Sequence, residues 1–418
     1  MVEHISDSYN ALLKVFKEKT YSSQALFSEK ISPLSSRIIL GVLEKNIYLD
    51  YIIKSLCDKE PKDNITLILK IGSYMLLFLD NIPDYAIVNE CVNFAKSKGK
   101  SGVAGFINAV LKNVAAKQFK LPSQNDPNYL SITYSKPKWF VDRLIKEYGL
   151  KATEDMLKNS ENVYDNEHVR ISNAKNKSEV IKDLKANDAY IRDSLVGGVI
   201  VNNNEYVKKL FKYGVLTYQS PSSMVAVQGL NPKDGATILD LCSAPGGKSV
   251  YIAELCPNSK VVSCDIYEHR IKLIQSYAKR MKVNNIETTI QDATILNKEF
   301  INKFDYVLVD APCTCFGTFI KHPDVFLMHD EKAIDNLSIT QAKILQNALQ
   351  YLSENGRLVY STCTLFKKEN EDIVKEAIKD KFELETMDIP IKNNGQVRIL
   401  PMNEWDGFFV ARIKRTKW

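Results

Sequence analysis

Apolar side chains recur every three or four residues along the first part of the chain, which is the spacing of one buried face on an amphipathic helix. Prolines at positions 33, 61 and 83 separate these stripes and mark helix boundaries. The helical segments predicted in this way are 8–17, 35–43, 48–57, 65–79, 86–95 and 103–114. The pattern predicts an all-helical domain over residues 1–125.

The pattern changes after a polar, proline-containing stretch at 121–128, which we take as the first domain boundary. One side of a helix would carry the apolar residues Trp139, Phe140, Leu144 and Tyr148. This pattern predicts a helical linker over residues 126–165. Strand-like runs at 169–171 and 199–201 and a helical run at 178–186 follow. They predict a small α+β (RRM-like) subdomain over residues 166–222.

Continuous apolar runs of strand length alternate with helical stretches over residues 223–418. The clearest runs are 237–241, 260–264, 306–309 and 357–360. Strands buried on both faces and alternating with helices indicate a parallel, Rossmann-like α/β sheet. Ligands bind such sheets at the carboxyl ends of the strands, so we expect the functional site there.

Length and composition fit this multidomain interpretation. The 418 residues exceed the roughly 250 to 300 at which one core stops growing. No stretch of about 18 apolar residues occurs, and the N-terminus lacks the basic and apolar regions of a signal peptide. We expect a cytoplasmic protein that does not enter a membrane. The net charge of +6 is weakly in favour of a polyanionic partner, but on charge alone an ordinary solvated surface is the better explanation.

The eight cysteines are too few for a disulfide scaffold in a chain of this length. The one close pair, Cys313 and Cys315, has a single residue between its members, and no second pair lies at a zinc-like spacing. The sequence therefore predicts no metal site, and each thiol has to be interpreted separately.

A glycine-containing loop connects the run at 237–241 to a helix and suggests a nucleotide site. Two glycines allow a ligand to approach the backbone, and the helix N-terminus directs amides towards it. Asp265 ends the next strand, where such folds place an acid on ribose hydroxyls. A phosphate-binding P-loop is excluded because its first glycine is replaced by Cys242. Asp292 is a candidate for the adenine amine, with an ordinary surface position as the alternative.

Two cysteines follow strands that should end at the same edge of the sheet. Cys313 comes after Asp310-Ala311-Pro312, and Cys363 comes after Ser361-Thr362. A single cysteine is most often buried packing, but two at one crevice suggest chemistry. Cytosine C5 attacks a methyl group only after a nucleophile has added to C6, and a thiolate is well suited to that addition.

LDLCSAPGGK at 239–248, DAPC at 310–313 and STC at 361–363 resemble motifs of class I RNA cytosine-C5 methyltransferases. The resemblance implies S-adenosylmethionine as cofactor, Cys363 as nucleophile, and Cys313 in proton removal or release of Cys363. Asp310 would stabilise the cytosine protonated at N3. The implied cofactor-binding residues are Cys242, Ser243, Ala244, Pro245, Gly246, Gly247, Lys248, Asp265, Asp292 and Asp310.

Other segments add to the resemblance, with one departure. His322-Pro323-Asp324 and Asp406-Gly407-Phe408-Phe409 also fit the family. Cys315 and Phe316 replace its usual small residues, so Cys315 is either an extra thiol or packing, and we favour packing.

The helical part resembles the NusB-like RNA-binding domain, notably at 70–79 and 106–112. Joined to this catalytic domain, it is similar to bacterial small-subunit rRNA methyltransferases. That combination implies methylation at C5 of cytosine 967 in 16S rRNA through a covalent adduct of Cys363 with C6. We expect the substrate to be naked or partly assembled rRNA, because the target base must be unstacked, and we expect a monomer.

Two other functional classes fit the sequence less well. An amino-methyltransferase would carry Asp/Asn-Pro-Pro-aromatic where this chain has Cys313. A non-catalytic RNA chaperone or antitermination factor would not need an intact site. The retention of Gly246, Gly247, Asp265 and both candidate thiols argues against it.

Overall fold

The structure is a computed structural model that describes residues 2–27, 31–160, 166–202, 204–379, 381–402 and 405–416. The chain divides into two compact units. One lies within Met1–Glu161 and Phe319–Glu331, and the other within Asn162–Thr318 and Lys332–Trp418. Residues 161–165, the end of the predicted linker, lie outside the described residues.

Helices form the first part of the first unit: α1 (Val2–Glu18), α2 (Ser22–Phe27), α3 (Pro33–Glu44), α4 (Asn46–Ser55), α5 (Asp63–Phe78), α6 (Asp84–Ser97) and α7 (Ala104–Ala115). Each predicted helical stripe is confirmed, and α2 is an addition too short for periodicity to reveal. The apolar helix α5 is buried over most of its length. A β-carbon on its Gly72 would lie 2.9 Å from Leu111 of α7, so glycine allows the two helices to approach closely.

Three further helices, α8 (Tyr129–Thr133), α9 (Lys138–Tyr148) and α10 (Leu150–Asn159), complete the N-terminal part of this unit. The segment Phe319–Glu331, with helix α16 (Val325–Met328), also belongs to it. Phe140 of α9 contacts the rings of Phe319 and Phe326 edge-on, at centroid distances of 5.5 and 4.8 Å. The sequence did not predict this placement, because the segment lies between two strands of the larger sheet.

The second unit begins with a four-stranded antiparallel sheet of β1 (Asn166–Ile171), β2 (Ile191–Asp193), β3 (Val199–Asn202) and β4 (Leu216–Tyr218), in the order β2-β3-β1-β4. Helices α11 (Lys177–Ala186) and α12 (Glu205–Lys212) connect its strands. Buried Arg170 of β1 hydrogen-bonds to Gln219 at 2.7 Å and forms an ion pair with buried Glu254. A buried arginine needs such partners. The α+β subdomain is therefore packed onto the larger sheet domain within one unit.

The larger sheet contains β5 (Thr237–Asp240), β6 (Lys260–Asp265), β7 (Ile286–Ile290), β8 (Phe304–Asp310), β9 (Leu352–Thr362), β10 (Phe382–Leu384), β11 (Gln396–Ile399) and β12 (Phe408–Arg415). The accompanying helices are α13 (Pro221–Leu230), α14 (Gly247–Leu255), α15 (Glu268–Met281), α17 (Glu331–Tyr351) and α18 (Glu371–Ala377). The strand order is β10-β12-β9-β8-β5-β6-β7, and β11 pairs with β12.

The sheet is mixed, which corrects the expectation of a wholly parallel sheet. The strands β7, β6, β5, β8 and β9 are parallel, whereas β12 is antiparallel to β9, β10 and β11. No described helix separates β10, β11 and β12 along the chain, so these strands pair antiparallel without crossover connections. Among the described residues, no helix is long and apolar enough to cross a membrane.

Candidate active site

The turn between β5 and α14 forms one wall of the site. Gly246 has a φ of +110°, a left-handed backbone conformation that other residues rarely adopt. A β-carbon there would also lie 3.1 Å from Ile274 Cα of α15. Glycine therefore lets the chain turn sharply from strand to helix, with the N-terminus of α14 facing the crevice.

A cavity of about 270 Å³ opens beside this turn. Seven of the predicted cofactor residues line it: Cys242, Ser243, Ala244, Pro245, Gly247, Lys248 and Asp310. The residues that sequence reasoning missed are Tyr218, Gln219, Ser220, Ser223, Asp240 and Tyr277. The first four come from β4 and the start of α13, where no motif marked them. The Gln219 side chain donates a hydrogen bond to the backbone oxygen of Gly247 at 3.3 Å. This bond connects the segment between β4 and α13 to the glycine turn.

The remaining predicted acids lie near the turn but outside the lining of this cavity. Buried Asp265 accepts a hydrogen bond from the Ala244 amide at 3.2 Å. Its other oxygen lies 3.3 Å from the Arg270 guanidinium, without the alignment of a hydrogen bond. Asp292 accepts hydrogen bonds from the amide and hydroxyl of Thr294, at 2.8 and 2.7 Å, which closes its own turn.

Asp240, at the end of β5, is fully buried below the turn. Burial raises its pKa to about 7, against the lowering effect of the Ser249 hydroxyl, which donates to it at 2.6 Å. A carboxyl with such a pKa takes up a proton close to neutrality. Its position in the strand was visible in the sequence, but its isolation from water was not.

A half-buried ion pair links the cofactor turn to the thiols. Lys248 donates to Asp310 Oδ2 at 2.5 Å, and the Ser361 hydroxyl donates to Asp310 Oδ1 at 2.8 Å. Burial acts to lower the pKa of Lys248, but the charge and hydrogen bond of Asp310 outweigh it and raise the pKa. The lysine therefore stays charged beside the carboxylate.

The two predicted thiols meet at the carboxyl edge of the sheet. Asp310 of β8 and Ser361 of β9 are paired in register, and the chain continues from each to a cysteine. The Sγ atoms of Cys313 and Cys363 lie 3.4 Å apart. Contact with Cys313 acts to lower the pKa of Cys363, but Cys315 and burial outweigh it and hold the pKa well above that of an ordinary thiol. The thiol is therefore protonated at neutral pH.

Cys315 is a third thiol in the same place. The sulfur atoms of Cys313, Cys315 and Cys363 all lie within 4.8 Å of one another. Cys315 has a φ of +57°, in the left-handed region, and its thiol is 3.5 Å from the carbonyl oxygen of Cys313. It is half-buried, as is Cys363. Its side chain thus joins the other two thiols instead of packing into a hydrophobic core.

Buried Glu369 connects the two cysteine loops. It accepts hydrogen bonds from the amide and hydroxyl of Thr314, at 2.9 and 2.7 Å, and from the Thr364 hydroxyl at 2.9 Å. Gln341 Nε2 donates to the same carboxyl at 3.0 Å and to the Pro312 carbonyl at 2.9 Å. Burial raises the pKa of Glu369. Sequence reasoning missed these residues because their partners are distant along the chain.

The glycine of the Asp406-Gly407-Phe408-Phe409 motif packs closely against Gly317. Gly407 N donates to Gly317 O at 2.8 Å, and Gly317 N donates to Cys363 O at 2.9 Å. A β-carbon on Gly317 would lie 2.1 Å from the Gly407 oxygen, so neither chain has room for a side chain. By contrast, Asp324 of the predicted His-Pro-Asp segment lies in the first unit, where it accepts a hydrogen bond from the Ser22 amide at 2.8 Å.

The Rossmann-like sheet, the glycine turn and its cavity define the catalytic part of a methyltransferase, joined to a helical domain of the NusB type. Family models match both parts: 16S rRNA methyltransferase RsmB/F at residues 227–414 and the NusB family at residues 4–116. The ribosomal RNA small subunit methyltransferase B of Photorhabdus laumondii is 30% identical over 94% of this chain and 92% of its own length. The chain belongs to this family, and it is a methyltransferase that uses S-adenosylmethionine.

Two further relatives cover nearly the whole chain. The probable ribosomal RNA small subunit methyltransferase B of Bacillus subtilis is 29% identical over 97% of both chains. A solved structure described as PH0851 is 25% identical, covers 99% of both chains and has a TM-score of 0.84. The likeness therefore includes both units, and not the catalytic part alone.

Proposed function

We propose that the protein methylates C5 of a cytosine in small-subunit rRNA, cytosine 967 of 16S rRNA, through a covalent adduct between Cys363 and C6. The observation that carries the proposal is the pair of thiols, 3.4 Å apart, at the ends of neighbouring strands. One thiol is needed to activate the ring, and a second group must then take part in removing a proton. A methyltransferase acting on an exocyclic amine needs neither.

Cys363 acts as the nucleophile. Its Sγ donates an electron pair to C6, the C5–C6 double bond opens, and C5 becomes the carbon nucleophile of an enamine. Bound S-adenosylmethionine supplies the electrophilic methyl group that C5 receives. A base then takes the C5 proton, the electrons of that bond restore C5–C6, and the Cys363–C6 bond breaks with the electron pair returning to sulfur. Because the thiol is protonated at neutral pH, its proton must leave before it attacks.

Asp310 and Lys248 carry the charge that the adduct develops. The ring takes up a proton from solvent at N3 when sulfur adds to C6 and gives it back to solvent when Cys363 leaves, and the Asp310 carboxylate accepts a hydrogen bond from that N–H in between. Lys248 holds Asp310 in place, and Ser361 holds its other oxygen. The pair is pre-oriented in a half-buried setting, where such interactions are stronger than in water.

Cys313 assists the second half of the reaction. Its sulfur lies beside that of Cys363, in position to assist the loss of the C5 proton or the departure of Cys363. Without it, the adduct should form and break down slowly. This asymmetry distinguishes the roles of the two thiols.

The cavity beside Gly246 fits an adenosine-bearing cofactor. Buried oxygens of Asp265 and Ser220 accept or donate no hydrogen bond among the described residues, so each has bonding capacity for a ligand. Cys242, Ser243, Ala244, Pro245, Gly246, Gly247 and Lys248 would hold the methionine part, and Asp265 the ribose. Asp292 would have to release Thr294 before it bonded to the adenine amine.

The N-terminal part acts as an RNA-binding domain. Its NusB match and the net positive charge of the chain both favour rRNA as the partner. We keep the predicted boundaries of 1–125, 126–165, 166–222 and 223–418, with the third part RRM-like. We also propose a monomer in the cytoplasm that acts on naked or partly assembled rRNA.

The direct test uses labelled S-adenosylmethionine and small-subunit rRNA from cells that lack this modification. The expected product is 5-methylcytosine at position 967, located by base-resolved mapping. Methylation of an exocyclic amine, or a methyl group confined to another cytosine, would overturn the reaction or the target, respectively.

A further inference from the structure

The cluster of three thiols contains one more sulfur than the proposed reaction uses. Cys363 attacks, Cys313 assists, and Cys315 has no step assigned to it. Nevertheless, all three sulfur atoms lie within 4.8 Å of one another, and two of them are 3.4 Å apart. Among the described residues, this is the only group of metal-ligating side chains that converges in this way.

The local fold holds Cys315 towards the other two thiols. The preceding residue, Thr314, is fixed by Glu369 through both its amide and its hydroxyl. Cys315 then adopts the left-handed conformation with a φ of +57°, and its carbonyl oxygen accepts from the Thr318 amide at 2.9 Å. A residue with a β-carbon is disfavoured in that conformation. The hydrogen bonds of Thr314 before it and of Thr318 after it therefore hold Cys315 in this conformation, with its side chain facing the other two thiols.

The separations match the coordination sphere of a thiophilic metal ion. Two thiolates on a tetrahedral Zn²⁺ with bonds of about 2.3 Å lie roughly 3.8 Å apart. The sulfur separations here, from 3.4 Å to at most 4.8 Å, include that distance. Movements of about 1 Å or less would bring three sulfurs onto one ion. Cys315 and Cys363 are only half-buried, so an ion and a water ligand can reach them from solvent.

We propose that Cys313, Cys315 and Cys363 form a three-thiolate site for a thiophilic divalent ion of the Zn²⁺ and Cd²⁺ class, and that its occupation inhibits methylation reversibly. Each thiol that binds releases its proton to solvent, and its sulfur donates an electron pair to the metal. Binding depends on the three sulfurs alone. Inhibition rests on the proposed function, because the ion occupies the sulfur that must attack C6. Hard ions such as Mg²⁺ do not bind to this set of thiolate ligands.

The test titrates full-length, fully reduced, metal-free protein with Cd²⁺ and follows the ultraviolet thiolate-to-cadmium absorption. The expected result is about one tightly held Cd²⁺ per chain with the absorption of three thiolates. Cys315→Ser should weaken binding about tenfold or more and remove about a third of the absorption. Cys57→Ser, which changes a half-buried thiol of the first unit, is the matched control and should leave both unchanged.

A second variant, Cys315→Gly, guards against misfolding, because glycine accepts a φ of +57° without strain. It should lose the third thiolate in the same way as the serine variant. Unaltered Cd²⁺ affinity and absorption in both variants would overturn the three-thiol site.

The activity measurement separates this inference from the proposed function. Methylation of rRNA should fall as Zn²⁺ fills the site and return when a chelator removes it. If Cd²⁺ and Zn²⁺ bind through three thiolates but methylation continues, the nucleophilic role of Cys363 fails and the metal site stands. If methylation depends on Cys363 but Cd²⁺ does not bind, the metal site fails alone.

Discussion

At the residue scale, the positions of the proposed catalytic side chains were predictable because they depend on the chain near them. Asp310 ends β8, Cys313 and Cys363 follow β8 and β9, and parallel strands deliver such residues to one edge. For Cys315, packing was favoured over an extra thiol, whereas its sulfur lies with those of Cys313 and Cys363. Its partner Cys363 is distant along the chain, and its left-handed conformation is set by Thr314 and Thr318, which no spacing rule reveals.

Asp240 gives a pH-dependent prediction for the second unit. Its pKa is about 7 in the folded protein, against about 3.8 for an ordinary Asp, so the folded state holds its proton more tightly than the unfolded state. Its contribution to stability is therefore complete below about pH 4 and is lost as the pH rises through 7. Asp240→Asn removes this loss, because the amide does not ionise.

Denaturant unfolding of both proteins at roughly pH 5 and pH 8 measures the effect. The wild type should lose up to about 3 kcal/mol relative to Asp240→Asn between these values. An equal difference in the free energy of unfolding at both pH values would contradict the burial of this carboxyl.

At the element scale, long or repetitive elements were predictable and short ones were not. Helical stripes identified α1 and α3 to α7, and apolar runs identified the strands β5, β6, β8 and β9. Strands of three or four residues, such as β2, β4 and β10, are too short to show a period. Their placement depends on pairing with other strands. The mixed edge of the sheet was missed for a different reason, because a pattern of apolar residues does not show whether the eight-residue strand β12 pairs parallel or antiparallel with β9.

Glu369 holds together the loops that follow β8 and β9, and its replacement should therefore affect catalysis. Its carboxyl joins the loop after β8 to the loop after β9 through Thr314 and Thr364. Glu369→Gln keeps the shape but places an amide NH₂ against groups that also donate hydrogen bonds. We expect kcat to fall about tenfold or more with little change in KM, because the two thiols lose their alignment.

Steady-state kinetics with thermal unfolding as a check on folding measures this effect. Glu376→Gln, an exposed acid on the following helix α18, should behave as the wild type. Glu369→Asp, which retains the charge, should recover part of kcat. A wild-type kcat in Glu369→Gln would show that the hydrogen bonds of Glu369 do not align the thiols.

At the scale of the whole molecule, the order of domains was predictable, but the division of the chain into units was not. The chain leaves the second unit after Thr318, contributes Phe319–Glu331 to the first, and returns at Lys332. The aromatic residues Phe319 and Phe326 find their partner in Phe140, more than one domain earlier in the sequence. A pattern along the chain carries no information about such a long-range contact.

RNA binding by the whole protein should depend strongly on salt. The chain carries 56 basic and 50 acidic residues, and binding to phosphates releases counterions. Affinity for small-subunit rRNA should fall by more than about tenfold between roughly 50 and 200 mM salt, as filter binding or fluorescence anisotropy would show. An affinity independent of salt would argue against recognition through the RNA backbone.

The covalent role of Cys363 is the central claim, and trapping of protein on RNA tests it most directly. Wild type, Cys363→Ala and Cys313→Ala are incubated with S-adenosylmethionine and unmethylated small-subunit rRNA, then separated on a denaturing gel. Cys313→Ala should accumulate a protein–RNA adduct, and Cys363→Ala should give neither adduct nor 5-methylcytosine. An adduct that persists in Cys363→Ala and disappears in Cys313→Ala would contradict the assignment of the nucleophile.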